Sequence, residues 1–269
     1  MKEFFAWLFS EKNSNLKITL FDGWHFFYLI LIFGISILLT FLLNRKSQTA
    51  KENTCKIFAY LTIILYVADF FIMPLSDSYN GISEYKLPFN ICTLMAIMAP
   101  FAQFNKKFDK IKPTIVVLSI ASSLMWMCYP GTALNGQPPF SYIIFQTFMY
   151  HGFLFAWGFL NLSLGQVNLS IKKVWKEFVG IIIILVWACF GNAIYGDWNW
   201  FFIQKSIFPF LSDEIMPVLV VITVFAVCLV IYGIYYLTKH LSNKTLKNKQ
   251  TNVNNTNHSQ NADSNINKQ

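Results

Sequence analysis

Seven apolar stretches run through the chain, separated by short polar segments. A helix rises about 1.5 Å per residue, so most of the stretches are long enough to cross a hydrocarbon layer about 30 Å thick. The third and fourth are shorter and need flanking residues or local thinning of the bilayer. The sequence therefore predicts an all-α polytopic membrane protein with seven transmembrane helices. Their predicted bounds are 24–43, 56–75, 88–104, 113–129, 140–164, 174–194 and 216–237.

The basic residues between these stretches lie in alternate loops. Of the 21 Lys and Arg residues, 16 fall in segments 44–56, 105–112, 165–176 and 238–269. Cytoplasmic loops retain basic residues, so these segments are predicted to lie inside, with the N-terminus outside and the C-terminus inside. The formal net charge of +8 then follows from membrane topology, and we predict no nucleic-acid partner.

Composition divides the chain into three parts. It is 55% hydrophobic and 13% charged, whereas a soluble domain carries about 25% charged residues. Residues 24–238 are therefore predicted to form one membrane domain of a multi-pass cell-membrane protein. Residues 1–23 begin with aromatics but are too short to span, which favours an interfacial segment outside. Residues 239–269 are rich in Asn and lack aromatics, which predicts a disordered cytoplasmic tail.

Six side chains with polar or reactive groups fall within the predicted spans, where an unpaired polar group costs several kcal/mol. Asp69 lies about 9 Å from the outer end of the second span, and His151 about 16 Å from the outer start of the fifth. The other four lie near the outer ends of their spans: His25, Asn90, Cys92 and Asn192. Their common depth predicts a polar cavity that opens outward. The alternative is that each side chain bonds a neighbouring helix.

The roles of Asp69 and His151 stay open at this stage. Asp69 either holds His151 in one tautomer and favours its charged form, or is itself neutral and donates a hydrogen bond. Gly152 follows His151 and lets either a helix or a ligand approach closely; ordinary helix packing is the simpler interpretation.

Several short motifs resemble a known membrane family. They are Leu-Pro-Phe-Asn-Ile-Cys at 87–92, Tyr-Pro-Gly at 129–131, Phe-Met-Tyr-His-Gly at 148–152, Asn192, and Gly-Asp-Trp-Asn-Trp at 196–200. Together they resemble the bacterial YwaF-like integral membrane proteins, whose relatives include the animal transmembrane protein 164. The family pattern usually reads Leu-Pro-x-His-x-Cys, and this chain has Asn90 at the His position.

The resemblance implies an activity and two catalytic residues. The animal relative is a cysteine-dependent acyltransferase that moves a fatty acyl chain from a phospholipid to a lysophospholipid. Carried over, its nucleophile is Cys92 and its essential histidine is His151, with membrane phospholipids as partners. A nearby His can accept the thiol proton, and a side-chain N–H from Asn90 or Asn192 can stabilise an oxyanion.

Two other classes of function remain. Asp69 and His151 suit a small-molecule transporter or permease component with an outward-facing polar cavity, although the sequence has no internal repeat. A membrane assembly or sensor protein without chemistry is the third hypothesis. The sequence contains no GxGxxG, P-loop or HExxH pattern and no Cys or His pair with metal spacing, so we predict no cofactor and no metal.

Overall fold

The computed structural model describes residues 17–72, 86–130, 138–196, 199–206, 208 and 210–266. These ranges contain seven α-helices, three short 3-10 helices and no strand. The α-helices are α1 (Gly23–Leu43), α2 (Gln48–Ile72), α3 (Ile91–Phe104), α4 (Lys112–Cys128), α5 (Tyr142–Ser163), α6 (Trp175–Ile194) and α7 (Met216–Ile266). The predicted all-α class is confirmed for the part of the chain that the structure describes.

Each helix overlaps one of the predicted apolar stretches, although α2 begins before its stretch and α7 continues beyond its own. Within the described ranges, five regions are long and apolar enough to cross a membrane: α1, α2, α5, α6 with its preceding turn, and α7 as far as Leu241. Helices α3 and α4 have 14 and 17 residues. At about 1.5 Å per residue they extend for about 21 and 26 Å, so each falls short of a hydrocarbon layer about 30 Å thick.

Helix α1 begins with a side-chain cap. Asp22 accepts the backbone N–H of His25 at 2.8 Å and that of Thr19 at 2.6 Å. Burial by itself would raise the pKa of the Asp22 carboxyl, but these N–H groups stabilise its charged form and the pKa lies below its ordinary value. The cap therefore fixes the point at which the chain enters its first apolar helix.

Helix α5 is the central element of the bundle. It packs against α1, α2, α3 and α4, and most of its residues are buried. Two glycines permit this close approach. A Cβ on Gly152 would lie 2.7 Å from Cγ1 of Ile32 in α1, and a Cβ on Gly158 would lie 2.7 Å from Cγ1 of Ile120 in α4. The Ile32 side chain thus fills the space beside Gly152, and this glycine serves ordinary helix packing.

The outer helices expose large apolar side chains. Ile30 and Phe41 of α1 are 71% and 78% exposed, and Phe190 of α6 is 59% exposed. Contiguous apolar surface of this kind is unfavourable in water. In a bilayer the same side chains contact lipid tails, so the pattern agrees with the apolar composition of the helices.

Two predicted terminal segments stay predictions. The predicted outer interfacial segment, residues 1–23, lies mostly outside the described residues, which begin at 17. The chain divides into two units within α7, after Cys228, and the second unit is helical as far as Ile266. Disorder of residues 239–269 stays a prediction. All side chains discussed below belong to the first unit.

Candidate functional site

The segment that leads into α3 is fixed by aromatic side chains. Trp187 of α6 donates its indole N–H to the carbonyl of Pro88 at 2.8 Å. The Phe89 ring stacks on Trp187 at a centroid distance of 5.2 Å and packs against Trp200 at 4.8 Å. Phe89 also lies directly over Gly191, where a side chain would collide with the ring. The Leu-Pro segment therefore has a fixed position against α6.

Cys92 lies in the first turn of α3. Its side chain is buried, with 8% exposure, and its thiol lies within hydrogen-bonding reach of the Ser122 hydroxyl on α4. Asn90 occupies the N-cap position but its side chain makes no capping bond. The first N–H groups of a helix have no intrahelical acceptor, and they carry the positive end of the helix dipole. A negative charge on or near the Cys92 sulfur would be stabilised there.

His151 lies in the middle of α5 and is 6% exposed. Its Nδ1 donates to the carbonyl of Thr147 at 2.8 Å. A carbonyl only accepts, so Nδ1 carries the proton and Nε2 holds a lone pair. Within the described residues, no hydrogen-bond donor contacts Nε2. The imidazole is therefore held in the tautomer that a general base requires.

Trp126 of α4 fixes the plane of the imidazole. The Trp126 and His151 rings stack at 3.9 Å between centroids, with an interplanar angle of 7°. An aromatic face also attracts a cation, so the stack favours the imidazolium that forms when His151 accepts a proton.

One face of α4 connects Cys92 with His151. Ser122, beside the thiol, and Trp126, on the imidazole, are four residues apart and so are neighbours on one helix face. The Cβ atoms of such neighbours are about 5–6 Å apart. Among the described residues the structure shows no direct contact between the thiol and the imidazole. It brings both groups to the same side of α4, about one helical turn apart.

Asp69 has partners that the sequence analysis did not identify. Its carboxylate forms a 2.6 Å salt bridge with the Lys86 ammonium and accepts the Tyr142 hydroxyl at 2.8 Å. The backbone carbonyl of Lys86 accepts the hydroxyl of Tyr66 at 2.7 Å. These contacts join α2, α5 and the segment before α3. Asp69 therefore makes its polar contacts with Lys86 and Tyr142, while Nδ1 of His151 bonds its own helix.

One of the missed partners, Lys86, had a recognisable signal in the sequence. A buried carboxylate in a membrane span requires a cation or several donors. The segment 76–87 follows the outer end of the predicted second span, and Lys86 is its only basic residue. Lys86 is therefore the cation of that segment that can pair with Asp69. Tyr142 and Trp126 had no such signal, because aromatic side chains are frequent throughout this sequence.

His25 bonds backbone groups through both of its ring nitrogens. Nδ1 accepts the N–H of Phe21 at 3.0 Å, and Nε2 donates to the carbonyl of Met127 at 2.8 Å. Its ring also packs against Phe148, at 5.8 Å between centroids. His25 thus joins the start of α1 to the end of α4, and the Phe148 and Trp126 rings connect it with His151.

The two asparagines differ in their free hydrogen-bonding capacity. Asn192 accepts the N–H of Trp200 at 3.0 Å and donates to the carbonyls of Ala188 and Trp200. Asn90 accepts the N–H of Phe201 at 3.4 Å through Oδ1, and within the described residues its Nδ2 has no acceptor. Phe201 has a φ of +57°, which a bulky residue rarely adopts. Of the two, only Asn90 has a side-chain N–H without an acceptor among the described residues.

A metal site is not evident in the part of the chain that the structure describes, which has no group of three or more His, Cys, Asp or Glu side chains able to hold an ion. Two further buried polar contacts involve α5. Trp157 of α5 donates to Gln103 of α3 at 3.1 Å, and Asn161 donates to the carbonyl of Trp157 within α5 at 2.8 Å. The first contact joins two helices by a side-chain hydrogen bond, as in other membrane bundles.

Within the described residues, five long apolar helices, one of which is the buried α5 with its polar side chains, define a multi-pass membrane protein. The profile of the TMEM164 family matches residues 20–237. The chain therefore belongs to the TMEM164 family. This match confirms the resemblance to relatives of transmembrane protein 164, and the YwaF-like assignment stays a prediction. No significant match was found among curated proteins or among solved structures.

Proposed function

We propose that this protein is a cysteine-dependent acyltransferase, with Cys92 as nucleophile and His151 as base, acting on phospholipids of the outer leaflet. One observation carries the proposal: a buried thiol and an imidazole with a bare Nε2 share one face of α4. A thiol is a weak nucleophile until it is deprotonated, and a nearby base provides that activation.

The reaction has two balanced halves. His151 Nε2 accepts the Cys92 proton, and the sulfur attacks an ester carbonyl of a phospholipid. The carbon–oxygen bond of the ester breaks, the imidazolium returns the proton to the departing lysophospholipid oxygen, and an acyl-thioester remains on Cys92. In the second half, His151 accepts a proton from the hydroxyl of an acceptor lysophospholipid. Attack of that oxygen on the thioester then releases the thiol, which regains the proton.

The thiol and the imidazole must approach for the first proton transfer. Catalytic hydrogen bonds are often long before substrate binds and tighten in the Michaelis complex. A change of rotamer at Cys92, which releases the Ser122 hydroxyl, brings the sulfur toward the imidazole. This step belongs to the proposal.

An oxyanion site adjoins the nucleophile in this arrangement. The free Nδ2–H of Asn90 and the unpaired backbone N–H groups of the first α3 turn are the donors we assign to it. Removal of one such donor in an acyl-transfer enzyme lowers kcat by about 10² to 10³. Asn192 is a poorer choice, because its side chain already bonds Trp200 and Ala188.

The proposal includes a membrane placement. We take α3 and α4 as crossing helices, which gives seven crossings with the N-terminus outside, and we place the protein in the cell membrane as a YwaF-like member of its family. Residues 24–238 are its membrane domain. Cys92 and His151 then lie in the outer half of the bilayer, where ester substrates arrive by lateral diffusion.

The transporter hypothesis depends on Asp69 as a site for a proton or a substrate. Asp69 is 2% exposed, paired with Lys86 and hydrogen-bonded to Tyr142. Each of its two carboxylate oxygens already has a partner within the protein, so binding of a transported solute by Asp69 requires loss of one of these contacts. The pairing favours the enzyme over a carrier that uses Asp69.

A covalent-intermediate experiment tests the proposal. Purified protein in vesicles is incubated with phosphatidylcholine that carries an alkyne-tagged acyl chain, and the protein is then examined for acyl label. We expect a label that neutral hydroxylamine removes, as a thioester requires. Cys92→Ser should carry no hydroxylamine-sensitive label.

Cys128→Ser is the matched control, because Cys128 is exposed at the end of α4 and has no assigned role. It should be labelled as the unmodified protein is. Equal labelling of Cys92→Ser and the unmodified protein would refute the proposal, as would labelling that depends on Cys128.

A further inference from the structure

The Lys86 ammonium is held by a short salt bridge to Asp69. Its Nζ lies 2.6 Å from Oδ2 of Asp69, whose side chain is 1% exposed, while the Lys86 side chain is 20% exposed. An ammonium has three N–H donors, and Asp69 engages one side of it. Within the described residues no other acceptor contacts the ammonium, so its remaining N–H donors are available to an anionic ligand.

Neighbouring side chains hold both the ammonium and the backbone of Lys86. The Tyr142 hydroxyl donates to the second oxygen of Asp69 at 2.8 Å, which fixes the carboxylate plane. The Tyr66 hydroxyl donates to the Lys86 backbone carbonyl at 2.7 Å. A flexible lysine loses entropy when it binds an anion, and this lysine is already ordered before any ligand arrives.

Lys86 and Cys92 lie one after the other along the entry to α3. Lys86 precedes α3, and Cys92 lies in the first turn of that helix. In the proposed membrane placement the chain runs inward here, so Lys86 lies nearer the outer surface than Cys92. In a glycerophospholipid the phosphate lies at the interface and the ester carbonyls lie deeper. A phosphate at Lys86 therefore leaves the ester on the Cys92 side, toward the membrane interior.

We propose that the Lys86 ammonium, held in place by Asp69, binds the phosphate of a glycerophospholipid or lysophospholipid; this assignment rests on the proposed function. Lysine binds phosphate as a point charge, through short charge-assisted hydrogen bonds. The ligand chemistry is a phosphate-ester anion with an attached acyl chain, and a neutral glyceride lacks the group that Lys86 recognises.

A binding experiment tests the site without turnover. All variants carry Cys92→Ser in maltoside micelles, and the Kd is measured for lysophosphatidylcholine and for monoacylglycerol with the same chain. Lys86→Gln should weaken lysophosphatidylcholine binding about tenfold or more, as expected for loss of a charge-assisted hydrogen bond, and leave monoacylglycerol binding unchanged. Lys205→Gln is the matched control, because Lys205 is an exposed lysine in the segment between α6 and α7.

Asp69→Asn separates phosphate binding from a purely structural salt bridge. A structural pair predicts that Asp69→Asn and Lys86→Gln weaken binding alike. Phosphate binding predicts that Asp69→Asn loses much less lysophosphatidylcholine binding than Lys86→Gln, because the ammonium remains although the carboxylate that orders it is gone. Equal loss in both variants would overturn the proposal. If Lys86→Gln does not fold, the double variant with Asp69→Asn leaves no unpaired charge and should show the same selective loss.

Two further arms complete the test. Glycerophosphocholine at the concentration of the lipid should not displace lysophosphatidylcholine, because it lacks the acyl chain; displacement would identify a soluble phosphate ester and overturn the lipid assignment.

The acyl-enzyme experiment with Cys92 intact is run separately. Absence of a Cys92 thioester with Lys86-dependent binding preserved would refute the enzyme alone. A Cys92 thioester with Lys86-independent binding would refute this inference alone.

Discussion

His151 shows how its neighbours can prepare a single side chain for chemistry. The Thr147 carbonyl holds the proton on Nδ1, and the Trp126 ring holds the imidazole plane at 3.9 Å. Both contacts leave Nε2 with its lone pair and restrict rotation of the ring. The entropy of orienting the base is therefore lost on folding, before substrate binds.

Replacement of Trp126 should affect catalysis more than folding. We expect Trp126→Leu to lower the rate of acyl-enzyme formation about tenfold, because the face that stabilises the imidazolium is lost. Trp126→Phe should retain most of the rate. The measurement is the single-turnover rate of thioester formation, with thermal unfolding as the check on folding. Trp175→Leu, at an exposed site on α6, is the control; an unchanged rate in Trp126→Leu would contradict the assigned role.

At the same scale, the sequence identified polar residues more readily than it identified their partners. Asp69 and His151 are recognisable because such side chains are rare within apolar spans. Their partners Tyr142 and Trp126 are aromatic residues in a chain with 18% aromatics, so only tertiary packing distinguishes them. His25 and Asn192 were grouped with the site by depth, and their hydrogen bonds go to backbone groups of neighbouring segments.

At the scale of helices, apolar length predicted most boundaries within a few residues. Helix α2 begins at Gln48, eight residues before the predicted start, because a polar first part with a Glu52–Lys56 salt bridge at 2.8 Å extends the helix beyond its apolar stretch. The central role of α5 was not predictable from apolar length. Among the five long spans, α5 has the lowest mean hydropathy and the largest buried fraction. Its polar side chains lie against other helices, which can form hydrogen bonds with them, whereas lipid tails cannot.

The close contact between α4 and α5 gives a prediction about stability. A side chain at Gly158 would lie 2.7 Å from Ile120 Cγ1 and 3.0 Å from the Val116 carbonyl, which cannot move aside easily. Gly158→Leu should therefore destabilise the protein by about 1–3 kcal/mol, as overpacking does. The measurement is unfolding in mixed micelles with increasing SDS. Gly34→Leu is the control, because no atom lies within 4 Å of a Cβ added there; equal destabilisation by both would contradict this account.

At the scale of the whole molecule, the number of crossings depends on α3 and α4. Both are shorter than the hydrocarbon layer, and α3 contains Pro100. If they formed a re-entrant hairpin from the outer side, the five long helices would still give an N-terminus outside and a C-terminus inside. Overall orientation therefore cannot distinguish five crossings from seven. The turn between α3 and α4 distinguishes them, because it carries Lys106, Lys107 and Lys110, whose charges cannot remain in hydrocarbon without large cost.

Cysteine accessibility at that turn decides the topology. In a background without the native cysteines, Lys107→Cys should react with a membrane-impermeant maleimide only after the cytoplasmic side is exposed. Lys205→Cys, in the segment between α6 and α7, should react in intact cells, because three crossings separate the two positions. Both lysines are exposed in the fold, so burial within the protein does not explain a failure to react. A Lys107→Cys variant that stays unlabelled from both sides would indicate a re-entrant hairpin, and labelling in intact cells would reverse the orientation on which the outer-leaflet site depends.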